Sequence, residues 1–296
     1  MKNAPTKSVT IVAALALFAL TGGTATAQTE TGLREFLAGA HLHGLSIDPE
    51  NPTQIFLATH SGLFRVDLNR MQTTPIGASR DDFMGFSTDL ARPGRMFASG
   101  HDAGMTKNLG IIGSDDGGTT WVSLSAGVDG PVDFHQMELS RADPARLYGV
   151  FGGNVQQSRD NGLNWQVIGA APEGLIDIAT SARDSGQLYA ATRSGLLQSA
   201  DAGASWTLLR PSQQPVSFVD VGSDGSIYAF VLGEGLISSD DGGLAWTAVN
   251  NGFGDGYILN FSRDPKNLDR MFATTGKNEI VVSSNGGKDW TLVARS

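Results

Sequence analysis

The amino-acid sequence predicts an all-β protein, a six-bladed β-propeller whose blades are four-stranded antiparallel sheets. Three observations carry that expectation. An eight-residue unit, S-x-D/N-x-G-x-x-W, occurs five times. Six short apolar segments carry an aromatic residue at the same position. Glycine supplies 38 of 296 residues beside only 11 prolines. That is well above the average share of about 7% and suits many tight turns.

The elements follow in chain order. Residues 1–27 read as a secretory signal. Lys2 and Lys7 precede the apolar run VTIVAALALFAL, and Ala25-Thr26-Ala27 closes the segment. A basic start, an apolar run too short to span a bilayer and an A-x-A end predict cleavage after Ala27. The expected location is periplasmic or secreted, with no membrane span in the mature chain. Residues 28–40, QTETGLREFLAGA, lie outside the repeat and suit a short helix. Residues 41–296 are expected to form the propeller.

The repeated unit begins at Ser114, Ser158, Ser199, Ser239 and Ser283 and uses all five tryptophans, Trp121, Trp165, Trp206, Trp246 and Trp290, spaced 44, 41, 40 and 44 residues apart. The marked segments are QIFLATH, RMFASGH, RLYGVFG, QLYAATR, SIYAFVL and RMFATTG, with Phe56, Phe97, Tyr148, Tyr189, Tyr228 and Phe272 in register. Six markers mean six units. The first lacks the S-x-D/N-x-G-x-x-W turn, as terminal repeats often do. In the fourth unit LIDIATS, QLYAATR, GLLQSAD and SWTLLR read as strands separated by Gly- and Asp-rich turns. Units of about 40 residues with four strands each are propeller blades. In the repeated turn, Asp or Asn folds onto backbone N–H groups, Gly takes a positive φ and Trp packs between blades. Near-identical turns spaced round a ring suit a structural job rather than catalysis.

These units resemble the BNR or Asp-box repeat. The resemblance implies that the box turns lie at the rim, on the face away from a ligand site. Turns one–two and three–four of every blade open on that face. Turns two–three and the links between blades open on the other, which is the candidate binding face.

The histidines fall on that second face. His41 and His43 open the inner strand of blade one, and His135 that of blade three. His60 and His101 each stand four residues after a marker aromatic, at the two–three turns of blades one and two. A ligand-binding mouth is expected from His41, His43, His60, His101, His135, Asp82, Asp133, Arg193 and Tyr257. The five histidines are also candidate metal ligands for copper or zinc, since imidazole suits both and nearby thioethers (Met84, Met105, Met137) favour copper. Met96 and Met271 read as core. The expected partners are a small polar ligand, a glycan or an envelope protein, bound by a monomer.

The chain is also similar to secreted bacterial propellers labelled glycosyl hydrolase or exo-sialidase-like. The shared strings are HLHG from His41, ATHSGLF from Ala58, MGF from Met84, SGH from Ser99, NLGII from Asn108 and DFH from Asp133. Sortilin-type and photosystem II assembly factor-like propellers are more distant. The resemblance implies an exo-acting glycoside hydrolase as the alternative function. A sialidase's early Arg-Ile-Pro motif is absent, and three of the four tyrosines are marker aromatics. A glycosidase needs two carboxylates. Asp177 and Asp220, read as equivalent positions opening adjacent inner strands, are the candidate catalytic pair, with Glu234, at the next two–three turn, as the spare.

Other chemistries are excluded. The absence of cysteine removes disulfides, thiolate nucleophiles and Cys-type zinc sites. A net charge of −9 disfavours nucleic acid, since little would displace counterions from phosphates. No Gly-rich string opens a helix as a phosphate loop must.

Overall fold

A computed structural model describes residues 29–253 and 256–296. The secretory-signal expectation for residues 1–27 lies outside the described residues. Among the described residues the strands form six antiparallel sheets, each built from consecutive segments. Blade one comprises Leu42–Ile47, Gln54–Thr59, Gly62–Asp67 and Gln72–Pro75. Blade two is Asp82–Thr88, Met96–His101, Asn108–Ser114 and Val122–Ser125. Blade three is Gln136–Leu139, Leu147–Phe151, Asn154–Ser158 and Trp165–Ala170. Blade four is Leu175–Thr180, Leu188–Thr192, Gly195–Ser199 and Thr207–Pro211, as its sequence predicts. Blade five is Val216–Val221, Ile227–Val231, Gly235–Ser239 and Thr247–Asn250. Blade six is Ile258–Asp264, Asn267–Thr275, Glu279–Ser283 and Thr291–Arg295.

The marker aromatics sit in the second strands. Five are buried, and Tyr228 is half-buried. Met96 and Met271 are buried in the same layers. The protein interior is therefore a ring of inter-blade clusters rather than one central core. Such a ring must be closed where its first and last blades meet. Among the described residues no strand is exchanged between blades one and six. The N-terminal extension supplies the clasp instead. Thr31–Gly32 adds a fifth strand outside Gln72–Pro75. The helix Leu33–Gly39 then buries Leu33 and Leu37, which are four apart and so share one face, against Ile47 and Ile55 of blade one and Phe272, Ile280 and Ala294 of blade six. The Asn278 side-chain amide donates to the carbonyls of Leu37 and Ala40, and Ile47 N–H donates to Ser262 Oγ at 3.1 Å. The extension lies outside the repeat but completes the ring.

The five repeated turns share one hydrogen-bond pattern. In the first, Ser114 Oγ accepts from Gly118 N–H at 2.9 Å and meets Asp116 Oδ1 at 2.8 Å, while Asp116 Oδ1 accepts from Thr120 N–H at 2.9 Å. The glycine is required twice over. Gly243 has φ +95°, and a Cβ there would stand 2.6 Å from Leu209 of the preceding blade. The indoles of Trp165, Trp246 and Trp290 donate to the carbonyl of their own turn glycine. The turn acids are saturated: side-chain and backbone hydrogen bonds from Ser205 hold the Asp201 carboxyl down at about 2. Thr120, Asn164 and Ala245 likewise lower Asp116, Asp160 and Asp241. Carboxylates so occupied serve the turn. Among the described residues no helix is long and apolar enough to cross a membrane.

Candidate functional site

Strand register explains how the histidines meet. In the first strands of blades one, two, four, five and six the pairing slips by one residue near the mouth. The slip leaves His43 unpaired in blade one and Met84 unpaired in blade two. A bulge of this kind re-aims its side chain and bends the strand. Gly44, Gly85 and Gln136 pair with the equivalent residues Ala58, Ser99 and Val150. Counting back from them, His43, Met84 and His135 occupy one equivalent position, and His41, Asp82 and Asp133 another. His60 and His101 are a third equivalent pair, each just past the residue that faces Leu42 or Phe83. Three adjacent blades thus present the same three positions to one mouth.

The five imidazoles converge there around two buried carboxylates. His60 Nδ1 lies 2.6 Å from Asp82 Oδ2, and His43 Nε2 lies 3.8 Å from Asp82 Oδ1. His101 spans two blades, with Nδ1 3.9 Å from Asp82 Oδ2 and Nε2 3.3 Å from Asp133 Oδ2. His135 Nε2 meets Asp133 Oδ2 at 2.8 Å. The His60 ring centroid is 4.2 Å from that of His43 and 5.2 Å from that of His41. Burial, aided by the neighbouring His60, lowers His43 to about 4, so its ring is neutral at pH 7. The hydrogen bond to Asp133 raises His135. Four buried polar atoms of this cluster lack a hydrogen-bond partner: His43 Nε2, Asp82 Oδ1, His101 Nδ1 and Asp133 Oδ1. Unpaired buried polar atoms are costly, and these four converge on the mouth. His43, His60 and Asp82 each offer a ligand atom within 4.8 Å of the others, and this group could hold a metal ion.

Below the mouth a cavity of about 390 Å³ runs along the hub, from His43 and His135 to Pro144 and Pro265 on the opposite face. Phe86, Phe218 and Phe261 line it beside a charged network. Asp220 is held by two guanidinium groups, Arg141 Nη2 at 2.6 Å and Arg263 Nε at 2.7 Å. Burial alone would raise its carboxyl, but the two arginines outweigh burial and lower it. Asp177 Oδ2 accepts from Val219 N–H at 3.0 Å, and burial raises its carboxyl to about 7. Burial raises Glu138 to about 8 against the opposing pull of Arg141.

Two sequence expectations need correcting here. Asp177 and Asp220 are not equivalent. Asp220 pairs with the marker Tyr228, whereas the residue paired with Tyr189 in blade four is Ala179. The two carboxyls therefore sit in successive layers of the hub, and the true counterpart of Asp220 is Glu138, which pairs with Tyr148. Nor does Glu234 stand beside them: it is exposed, in an ion pair with Arg210 at 2.6 Å, and absent from the cavity wall. Arg193 and Tyr257 are likewise exposed and away from that wall. Among the thioethers, Met84 lines the cavity, Met137 is buried and Met105 is 66% exposed.

Sequence reasoning passed over Glu138, Arg141 and Arg263. A signal was present. Ser46, Ser87, Glu138, Ala179 and Ser262 each stand ten residues before their marker aromatic, so Glu138 is the one charged residue among these five. Arg141 and Arg263 each follow a serine at the end of an inner strand.

No family model matches the chain. A curated xyloglucanase of Hypocrea jecorina is 30% identical over 151 residues, covering 47% of this chain and 17% of that protein. The chain thus spans less than a fifth of the length of the curated relative it matches. Among solved structures, a GH74 enzyme of Niastella koreensis superposes with a TM-score of 0.62 at 16% identity over 86% of this chain and 45% of the other. The GH74 xyloglucanase from Xanthomonas campestris gives 0.60 at 18% identity with the same coverage. YCF48 bound to D1 peptide gives 0.56 at 14% identity, covering 86% of this chain and 82% of that one. What the chain shares with these structures is the propeller fold.

Proposed function

We propose that this propeller is a metal-binding module that holds a zinc or copper ion at the mouth of its hub, on His43, His60 and Asp82. The observation that carries the reading is the set of unpaired buried atoms in that cluster, His43 Nε2 and Asp82 Oδ1 foremost. A cation would satisfy both at once. The donor set is imidazole and carboxylate, which suits zinc and copper(II) and gives no preference to magnesium or calcium. A neutral His43 is ready to ligate without first losing a proton. The hub cavity beneath would admit a small polar ligand to the ion. Export by the signal expected over residues 1–27 would place that binding outside the cytoplasm. Calorimetric titration of the purified protein with zinc and with copper(II), paired with thermal unfolding, tests the reading. At free metal 100-fold above Kd the native state gains about 2.7 kcal/mol. His43→Ala and His60→Ala should each abolish most of that gain. No heat and no shift with either ion would end the proposal.

A second reading is favoured by one observation. Glu138 and Asp220 occupy equivalent positions in the hub, yet their carboxyls are pushed in opposite directions, Glu138 up to about 8 and Asp220 down. One protonated and one ionised carboxyl facing a common cavity is the arrangement acid–base cleavage of a glycosidic bond needs. On this reading Glu138 is the acid and Asp220 its ionised partner. The likeness to xyloglucanases makes xyloglucan oligosaccharides the first substrate to try. Glu138→Gln should abolish any hydrolysis found; full activity in that variant would remove Glu138 from the chemistry.

A further inference from the structure

We propose that the hub cavity binds a small aromatic carboxylate, its carboxylate on the Arg141 guanidinium and its ring on the apolar wall made by blades two and six. The proposal goes beyond the metal reading and stands without the ion. Its first support is an imbalance between the two arginines that share Asp220. Arg263 is spent on the protein. Its Nε donates to Asp220 Oδ2 at 2.7 Å, its Nη1 to Ser226 Oγ at 2.8 Å and its Nη2 to the Ser226 carbonyl at 3.0 Å. Its guanidinium also lies 4.7 Å from the centre of the Tyr228 ring. Arg141 lines the cavity, and its guanidinium makes one hydrogen bond to the described residues, from Nη2 to Asp220 Oδ1 at 2.6 Å. A guanidinium carries five N–H donors in a planar fork. Most of the Arg141 fork thus has no protein acceptor, and a carboxylate matches it bidentately.

The second support is charge. Two guanidinium groups face one carboxylate, which leaves one positive charge over. Asp89, also on the cavity wall, is taken by Arg92 at 3.1 Å. Glu138 and Asp177 line the same cavity and form no ion pair among the described residues. Burial raises them to about 8 and about 7, so both hold their protons at pH 6. A single negative charge beside Arg141 restores balance.

The third support lies across the hub. Blade six is three places round the ring from blade three, and so faces Arg141. It presents Phe261, half-buried and stacked on Phe218 with centroids 4.7 Å apart, and Leu259, which is 45% exposed. Phe86 of blade two continues this wall. A rigid apolar surface opposite one charged fork selects a ligand with a flat ring at one end and a carboxylate at the other. The cavity of about 390 Å³ is within the size range of small-molecule sites, roughly 300–1,000 Å³.

The test is calorimetric titration of the full chain at pH 6, stripped of metal with EDTA, using cinnamate, cinnamamide and acetate. Cinnamate should bind one to one. Cinnamamide, which keeps the ring and loses the charge, should bind about tenfold more weakly or worse. Acetate, which keeps the charge and loses the ring, should also fall by about tenfold or more. Arg141→Gln should weaken cinnamate by a similar factor and leave it no tighter than cinnamamide. The comparison of the three probes on wild type needs no variant to fold. No heat with cinnamate, equal affinity for cinnamate and cinnamamide, or unchanged cinnamate binding in Arg141→Gln overturns the proposal. Acetate as tight as cinnamate overturns the aromatic wall. Cinnamate binding that appears only when zinc is added puts the carboxylate on the ion, upholds the metal reading and overturns the Arg141 site. Cinnamate binding in a protein that takes up no zinc upholds the Arg141 site while the metal reading falls.

Discussion

Asp220→Asn removes the one negative charge that two guanidinium groups share at the centre of the hub. Arg263 is 5% exposed and Asp220 7%, so neither can turn to bulk solvent without opening the seam between blades five and six. The substitution converts two ion pairs, at 2.6 and 2.7 Å, into at most one hydrogen bond from a guanidinium to an uncharged amide oxygen. Arg263 keeps its bonds to Ser226 Oγ at 2.8 Å and to the Ser226 carbonyl at 3.0 Å, which hold the guanidinium in place without neutralising it. Breaking a buried pair by removing one partner costs about 3–5 kcal/mol. Asn preserves the volume and one acceptor, so the lower end, about 3 kcal/mol, applies. For a chain of this size that lowers Tm by roughly 6–10 °C. Scanning calorimetry at pH 7 measures it directly. The double variant Asp220→Asn/Arg263→Met should recover part of the loss, because it removes a stranded charge. A Tm for Asp220→Asn within about 2 °C of wild type would refute the argument that this carboxylate is structurally committed. It would also leave Asp220 free of that structural commitment and so able to serve as the base of the second reading.

The other predictions concern the clasp and the hub carboxyls. Leu37 is fully buried at the seam of blades one and six, so Leu37→Ala should cost about 2–5 kcal/mol by the lost transfer energy and the cavity left behind. An unchanged Tm would mean the helix does not hold the ring. Glu138 keeps its proton up to about pH 8 when folded, against 4.5 as the ordinary value. The native state therefore binds more protons across that window, and stability falls as pH rises through it, by no more than about 1.4 kcal/mol per unit. Below pH 4.5 both states are protonated and the contribution is fully present. Glu138→Gln mimics the protonated form and should flatten the decline, becoming more stable than wild type at pH 8. Parallel curves for the two proteins in chemical denaturation at pH 5 and pH 8 would contradict this.

The architecture was legible because blades repeat. The aromatic in each second strand and the S-x-D/N-x-G-x-x-W turn answer local demands, a packed inter-blade layer and a tight corner, which every unit must meet. The histidines were legible as a group because one face of the ring collects the same turn from each blade. Asp177 and Asp220 were misaligned because each was counted from its strand's apparent start: Asp177 pairs two residues past the marker Tyr189, at Ala191, whereas Asp220 pairs with the marker Tyr228 itself. Measured from Tyr228 and Tyr189 instead, their offsets of 8 and 12 residues already differ. Arg141 and Arg263 escaped notice for another reason. A long side chain reaches its partner across blades, and no periodicity within one blade encodes where it ends. Leu33 and Leu37 hinted at a helix, but their burial depends on blade six, more than two hundred residues away.

The most direct test of the metal centre is anomalous diffraction from crystals grown with zinc, recorded on both sides of the zinc absorption edge. The account predicts a peak bounded by His43, His60 and Asp82, at bonds of about 2.0–2.2 Å, with the 2.6 Å contact between His60 and Asp82 replaced by coordination. Zinc-bearing crystals with no peak at the mouth, and with that contact intact, would contradict it.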